Sequence, residues 1–160
     1  MSELHARAVR YWQPQYGGAA LVASVSYRLD ERLKSRLAAR AAAEGIPESV
    51  LVSRLLDEGM KTAAYPGITY RSGPAGRRAG LACGPDVWEV IVAVRHAEGQ
   101  GEEKIVSAAE HMGVTERLVR LAVAFAAAHP EEIEDRIAAN EIAAEQARRL
   151  AEQRDRLIAS

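Results

Sequence analysis

The sequence predicts a mainly α-helical protein with one short strand near its beginning and one β-hairpin in its middle. Three observations predict this class. Alanine, the strongest helix former, fills 31 of 160 positions, and there are only six prolines. Aromatic residues, which favour strands, make up 5% of the chain. Several segments after residue 30 carry apolar residues at intervals of three and four, which is the period of an amphipathic helix.

Composition excludes several classes of protein. The longest uninterrupted apolar run, Leu121 to Ala128, is far shorter than the roughly 20 residues that a membrane-spanning helix needs. The first residues lack the apolar core of a signal peptide, so we expect a cytoplasmic protein with no membrane partner. Cys83 is the single cysteine, which excludes an internal disulfide and a cysteine-cluster metal site. We expect no metal and no other cofactor.

Charge is distributed unevenly, although the net charge is only −1. Residues 1–40 carry seven basic and three acidic side chains, a net charge of +4, and residues 65–82 carry three arginines and no acid. Residues 131–160 carry five basic and eight acidic side chains, a net charge of −3. A basic beginning and an acidic end indicate an anionic partner at one end of the chain and a different partner at the other.

Residues 1–20 follow neither a helical nor a strand period. Three of the eight aromatic residues lie in this segment, namely Tyr11, Trp12 and Tyr16. We therefore interpret it as an arm that docks on the protein's own core or on a partner.

Residues 22–29 alternate in polarity, which is typical of a short β-strand. The apolar face carries Val25, Tyr27 and Leu29, and the polar face carries Ser24, Ser26 and Arg28. A lone strand leaves its backbone groups unpaired and its apolar face uncovered, so a second copy of the chain is the most economical partner. The segment predicts a homodimer joined by an antiparallel ribbon, with the three apolar residues in the interface.

Two amphipathic helices are predicted after this strand. Asp30 is placed to cap the first helix, and Gly45 is placed to end it before a turn over residues 46–49. The inner face of the first helix carries Leu33, Leu37 and Ala41. The apolar positions of the second helix are Val50, Leu51, Leu55, Leu56 and Met60.

The order strand, helix, turn, helix over residues 22–61 resembles the ribbon-helix-helix family of small bacterial DNA-binding proteins. The resemblance rests on the runs Ser24 to Asp30 and Gly45 to Ser49, and on the leucine spacing between them. In that family the outward strand residues enter the major groove, and the start of the second helix holds a phosphate. The resemblance implies base contacts from Ser24, Ser26 and Arg28, and a phosphate contact at Ser49.

Elementary chemistry agrees with these roles. A two-stranded ribbon fits the major groove, where arginine can bind O6 and N7 of guanine together and serine can donate or accept. Amides near Ser49 lie at the positive end of a helix dipole, which suits a phosphate. Lys34, outside the apolar face of the first helix, is a further candidate DNA contact. The alternative interpretation is an ordinary edge strand with solvated serines and a solvated arginine.

Residues 65–83 predict a hairpin with strands from Ile68 to Arg71 and from Arg77 to Ala82, joined by a turn over residues 73–76. The stretch lacks the Gly-Lys-Ser/Thr ending of a phosphate loop, so nucleotide binding is not expected. Arg77 and Arg78 near the tip are either solvated charges or additional DNA contacts.

Residues 86–128 predict three helices, of which the last two resemble a helix-turn-helix in their spacing. The first of the three carries a core stripe of Val87, Trp88, Ile91 and Val94. The spacing of the other two rests on Ala109, Gly113, Thr115 and Val119. Arg117 and Arg120 would contact bases if the third helix entered DNA. That helix continues as an almost purely apolar run, which favours a compact module used for protein contacts.

Residues 65–135 resemble the domain-of-unknown-function 433 family. The matching stretches are Tyr65 to Ile68, Gly76 to Arg78, Pro85 to Trp88 and Val123 to Ile133. Several members resemble antitoxins of the VapB type, which are paired with PIN-like ribonuclease toxins. The resemblance therefore implies a ribonuclease toxin as partner.

Residues 130–160 predict one last helix, with Pro130 at its first position. A stripe recurs at 4-3 spacing over Ile133, Ile137, Asn140, Ala144, Ala147, Ala151, Arg154 and Ile158. Most of this stripe is alanine, which is too thin for a strong coiled coil on its own. Three outcomes are open: the helix packs on its own domain, packs on a partner, or frays.

No pattern points to catalysis, and we expect that the protein is not an enzyme and has no catalytic or metal-ligating residues. The four histidines lack the spacing of a metal site, and no serine or cysteine lies in a nucleophile-elbow context.

The predicted organisation has four parts: an arm (1–20), a ribbon-helix-helix DNA-binding and dimerisation domain (21–64), a hairpin with three helices (65–130) and a C-terminal helix (131–160). We expect a homodimeric or higher-oligomeric antitoxin that binds operator DNA, represses its own operon and neutralises a PIN-like ribonuclease toxin. The alternatives are a stand-alone transcriptional regulator and a protein-interaction adaptor that does not bind DNA.

Overall fold

The computed structural model describes residues 26–73 and 76–159. Over these residues the chain is mainly helical with one two-stranded antiparallel sheet, which confirms the mainly helical class and the predicted hairpin. The elements in chain order are α1 (Glu31–Glu44), α2 (Glu48–Ala64), β1 (Ile68–Gly73), β2 (Gly76–Leu81), α3 (Val87–His96), α4 (Glu102–Met112), α5 (Glu116–Ala128) and α6 (Pro130–Ala159). Two compact units, Met1–Gly59 and Met60–Ser160, divide the chain at a point inside α2.

The ends of α1 are set by the two residues that the sequence indicated. Oδ1 of Asp30 accepts a hydrogen bond from the backbone N–H of Leu33 at 2.9 Å, which satisfies one donor of the first turn. Gly45 adopts a left-handed conformation with φ of 66°, and the backbone N–H of Ile46 returns to the carbonyl of Ala41. Glycine tolerates that conformation because it has no Cβ, so the helix ends where it does.

The predicted N-terminal strand falls partly outside the described residues. Ser24 and Val25 lie outside them, and residues 26–30 have no regular secondary structure in the single chain. A strand is defined by the hydrogen bonds of its ladder, and the predicted partner of this one is a second copy. The ribbon therefore stays a prediction.

The hairpin pairs Ile68 with Leu81 at its base and Gly73 with Gly76 at its tip. Ile68, Ala79 and Leu81 are buried, so one face of the hairpin covers the core of the second unit. The turn itself contains residues 74 and 75, which lie outside the described residues.

The second unit has a core of its own, built by the hairpin, α3, α4, α5 and the start of α6. Its buried residues are Ile68, Ala79, Leu81, Val87, Val90, Ile91, Ile105, Ala108, Ala109, Val119, Ala122, Phe125, Ile133 and Ile137. The predicted stripe of α3 packs on this core: Val87 and Ile91 are buried in it, and Trp88 and Val94 are half-buried against it. Val90, which the stripe omitted, is buried as well, because positions 87, 90 and 91 share one helix face.

Helix α6 is 30 residues long, which corresponds to about 45 Å. Ile133 and Ile137 in its first two turns are buried in the core of the second unit. Nearly every side chain from residue 138 to residue 158 is exposed. None of the helices in the described residues combines the length and apolar character that crossing a membrane requires.

Candidate DNA-binding and subunit interface

The first unit exposes apolar side chains in the segment where the sequence predicts a subunit interface, and also on the predicted apolar faces of its two helices. Tyr27 is 70% exposed and Leu29 is 45% exposed in the segment that precedes α1. Leu33 on α1 and Leu56 on α2 are 43% and 52% exposed. Soluble proteins rarely leave several large apolar side chains uncovered in one small unit, so this group of four is a candidate contact surface.

The interior of the first unit is correspondingly small. Among its described apolar residues only Ala41 on α1 and Leu51 on α2 are fully buried. Leu37, Val50 and Leu55, predicted to face the core, are only half-buried. The described residues of this unit therefore bury little apolar surface among themselves.

An ion-pair cluster joins α1 to α2 within this unit. Glu44 accepts from Nε of Arg40 at 2.9 Å and from Nη2 of Arg54 at 2.5 Å. The hydrogen bonds from Arg54 and then Arg40 lower the pKa of Glu44 against the opposing effect of burial. Nε of Arg54 lies 4.0 Å from Oε1 of Glu58, a buried carboxylate on the same helix. The cluster fixes the two helices relative to each other.

The candidate DNA contacts that the structure describes in the first unit are all exposed. They are Ser26, Arg28, Lys34 and Ser49. Ser26 and Arg28 alternate with Tyr27 and Leu29 in the segment before α1, and Lys34 lies in the first turn of α1. Ser49 lies in the first turn of α2 beside Glu48, whose negative charge competes with a phosphate for the helix N-terminus.

The two arginines predicted at the hairpin tip have defined neighbours. Nη1 of Arg77 lies 3.3 Å from Oγ of Ser72 on the facing strand. Arg78 is half-buried, and its Nε donates to Oδ2 of Asp86. Arg78 therefore has a structural role within the second unit.

Asp86 is the centre of a polar cluster that sequence reasoning missed. Its carboxylate is buried, with the residue 5% exposed, and Oδ1 accepts from Nε of Arg71 at 2.8 Å. Arg71 and Arg78 are direct cross-strand partners, so the acid lies between two like charges that would otherwise repel. Burial raises the pKa of Asp86, but the hydrogen bonds and charges of Arg78 and Arg71 outweigh it and hold that pKa below its ordinary value.

Two glycines make room for these arginines. A Cβ on Gly80 would lie 2.5 Å from Nη2 of Arg71, and a Cβ on Gly73 would clash with Nη1 of Arg78. The guanidinium groups thus lie flat on the opposite strand. A sequence signal was present: once the hairpin register is drawn, Arg71 faces Arg78, and the next acid along the chain is Asp86.

The helix-turn-helix spacing corresponds to α4, a turn at Gly113 and α5. Gly113 has a left-handed φ of 65°, and Ala109 and Val119 are buried where the helices meet. Arg120 donates to Glu102 at 2.7 Å and to Glu116 at 2.8 Å, and these hydrogen bonds raise its pKa. Both acids would have to release Arg120 before it could contact a base. This arrangement favours the protein-contact interpretation of the module.

Two of the four acids at the start of α6 bind other residues of the second unit. Glu132 accepts from Nζ of Lys61 at 2.8 Å and from the hydroxyl of Tyr70 at 2.8 Å. Glu134 pairs with Arg95, whose hydrogen bond lowers the pKa of that carboxyl. The net charge of −3 over residues 131–160 comes entirely from residues 131–137, which carry four acids and one arginine. Residues 138–159 carry four acidic and four basic side chains, so their net charge is zero.

The described residues do not form a candidate metal site. Among the residues that the structure describes, no group of three or more His, Cys, Asp or Glu side chains is placed to hold a metal ion. Cys83 is exposed. A search of family models, of curated proteins and of solved structures finds no match to this chain.

Proposed function

We propose that this protein is a homodimeric DNA-binding protein that uses its first unit to bind operator DNA, and that it acts as the antitoxin of a PIN-like ribonuclease. One observation carries the proposal: the exposed apolar group of Tyr27, Leu29, Leu33 and Leu56 lies in the same unit as the exposed Ser26, Arg28 and Lys34. A second copy that covers the apolar group by pairing residues 22–29 would leave the polar strand face outside. That face then has the width of a DNA major groove.

Dimerisation is tested by disrupting the apolar strand face. Leu29→Asp places a charge in the proposed interface, and we expect the protein to sediment with a lower mass at micromolar concentration. Ser26→Asp, on the opposite face of the same segment, is the control and should leave the mass unchanged. A wild-type protein that sediments as a folded monomer at that concentration would contradict the proposed dimer.

DNA binding is tested with Arg28→Ala and the promoter DNA of the protein's own operon. Loss of an arginine that binds guanine should cost about 1–3 kcal/mol of binding free energy. Arg117→Ala, an exposed arginine of the second unit, is the matched control and should bind as wild type does. Affinity measured over a salt series should fall with a slope of about −0.9 per phosphate neutralised. Equal affinity of Arg28→Ala and wild type would remove the strand from the DNA contact.

A stand-alone transcriptional regulator is the second candidate, and one observation favours it. An acidic helix could enter the cationic cleft of a ribonuclease by charge complementarity, but residues 138–159 are neutral and two of the preceding acids are already paired. Co-expression with the product of the adjacent gene separates the two candidates. A complex that survives purification and loses ribonuclease activity supports the antitoxin; a protein that binds DNA but never retains that product supports the regulator.

A further inference from the structure

The part of α6 beyond residue 137 is not covered by the other described residues. It comprises residues 138–159, a length of about 33 Å. A helix in a protein takes most of its stability from packing an amphipathic face. Leu150 is 65% exposed and Leu157 is 79% exposed. This free helix therefore presents apolar surface to solvent along most of its length.

Its charged side chains are sorted onto one side. At 3.6 residues per turn, seven of the eight charges between residues 141 and 156 fall within about one third of the circumference. Several of them pair along the helix: Glu145 accepts from Arg148 at 3.0 Å and from Arg149 at 2.8 Å, and Arg156 lies 3.9 Å from Glu152. The charged side is satisfied by its own helix, so it does not need a partner.

The opposite side carries a regular 3-4 repeat. Its positions are Asn140, Ala143, Ala147, Leu150, Arg154 and Leu157. This repeat shares positions 140, 147 and 154 with the stripe predicted from sequence. It has Ala143, Leu150 and Leu157 in place of Ala144, Ala151 and Ile158. Such a repeat is the pattern of a helix that pairs with another helix.

Charge and side-chain size together indicate which partner packs against this side of the helix. The free helix has no net charge, so a partner of strong charge gains nothing from it and an identical helix is not repelled. The repeat is also self-complementary when reversed, since it pairs Ala147 with Leu150, Ala143 with Arg154, and Asn140 with Leu157. Every layer of such a pair sets one longer side chain against a shorter one, which is what close packing requires.

We propose that α6 pairs antiparallel with α6 of a second copy through this repeat, as an interface separate from the ribbon. A parallel pair is disfavoured, because it would set Arg154 against Arg154 and leave gaps where Ala143 and Ala147 face themselves. In the antiparallel pair the Arg154 stem lies over Ala143 of the second copy. Its guanidinium then reaches the level of Asn140 and Gln146, whose side-chain carbonyls can accept.

Cysteine cross-linking in the full chain tests the direction and register. With Cys83→Ser as background, the double variant Asn140→Cys/Leu157→Cys should form disulfide-linked dimers in high yield under mild oxidation. The single variant Leu157→Cys should not, because the two positions 157 lie about 25 Å apart in the antiparallel pair. Arg149→Cys, on the charged side, measures random collision. Cross-linking of Leu157→Cys as efficient as that of the double variant, or of the double variant no better than Arg149→Cys, would overturn the proposal.

A second measurement separates this interface from the ribbon. In the full chain carrying Leu29→Asp, the remaining self-association should weaken roughly a hundredfold or more on Leu150→Gln, because each pair buries two of these leucines. Arg149→Gln should leave it unchanged. If the Leu29→Asp chain shows no self-association, the α6 pairing is wrong whatever the DNA experiments show. If Arg28→Ala binds DNA normally while the cross-link forms, the DNA proposal alone fails.

Discussion

Asp86 is the residue whose polar contacts link the hairpin to α3. Its carboxylate binds Arg71 and Arg78, and its backbone N–H donates to the carboxylate of Glu89, so that it also begins α3 with a capping box. Nε1 of Trp88 lies 3.4 Å from the same carboxylate. One acid thus joins the hairpin to the helix that follows it.

Replacing this acid should destabilise the protein. Asp86→Asn keeps the size of the side chain but leaves two like charges facing each other without a counter-ion, so we expect the free energy of unfolding to fall by about 2 kcal/mol, allowing for the partial exposure of Arg71. Urea unfolding monitored by circular dichroism measures it. Glu134→Gln, which removes an exposed ion pair with Arg95, is the control and should change the stability by less than about 1 kcal/mol.

The pH dependence of that effect has a definite sign. The folded-state pKa of Asp86 lies below the value of an unfolded chain, so its contribution is present above the unfolded pKa and is lost as pH falls through the folded pKa. The difference in stability between wild type and Asp86→Asn should therefore be constant near neutral pH and narrow below about pH 4. Urea titrations at a series of pH values measure this difference, and a gap that widens in acid would contradict it.

At the scale of the elements, replacing two glycines by alanine should have opposite effects on stability. Gly59 lies inside α2, where an added Cβ meets no atom within 4 Å, so Gly59→Ala should stabilise the protein by about 0.5–1 kcal/mol. Gly80→Ala should destabilise it by about 1–2 kcal/mol, because the new Cβ displaces Arg71 from Asp86 and from the carbonyl of Gly84. Thermal or urea unfolding of the two variants, compared with wild type under the same conditions, measures both changes in stability. Equal effects of the two substitutions would mean that Arg71 moves aside freely.

The helix boundaries show why some elements were predictable. Asp30 and Gly45 act on backbone groups within four residues, so their effect is readable from adjacent letters of the sequence. The Asp86 cluster was missed for the opposite reason. It joins residues 71, 78 and 86, which meet only after the hairpin register brings Arg71 opposite Arg78.

At the scale of the whole molecule, the two units differ in how they are stabilised. The second unit buries a cluster of fourteen residues, whereas the described apolar residues of the first unit include only two that are fully buried. If a second copy supplies the missing cover, the stability of the first unit depends on protein concentration and that of the second unit core does not.

Hydrogen exchange measured at two protein concentrations tests this difference. Amides of α1 should become better protected as the concentration rises, because dimers then predominate. Amides of α3 and α5 should exchange at the same rate at both concentrations, since their core is internal to one chain. Protection of α1 that does not change with concentration would show that the first unit is stable alone.

The sequence by itself determined the helical class, the central hairpin, and the order and ends of most helices. These properties follow from local chemistry: residue propensity, capping and the period of each pattern. Only the tertiary structure decided that Arg78 binds a buried acid, that the first two turns of α6 are buried in the core of the second unit, and that Glu132 and Glu134 pair with Lys61 and Arg95. Those outcomes depend on contacts between residues distant in sequence and on the burial of each side chain. Neither can be read from a short stretch of the chain.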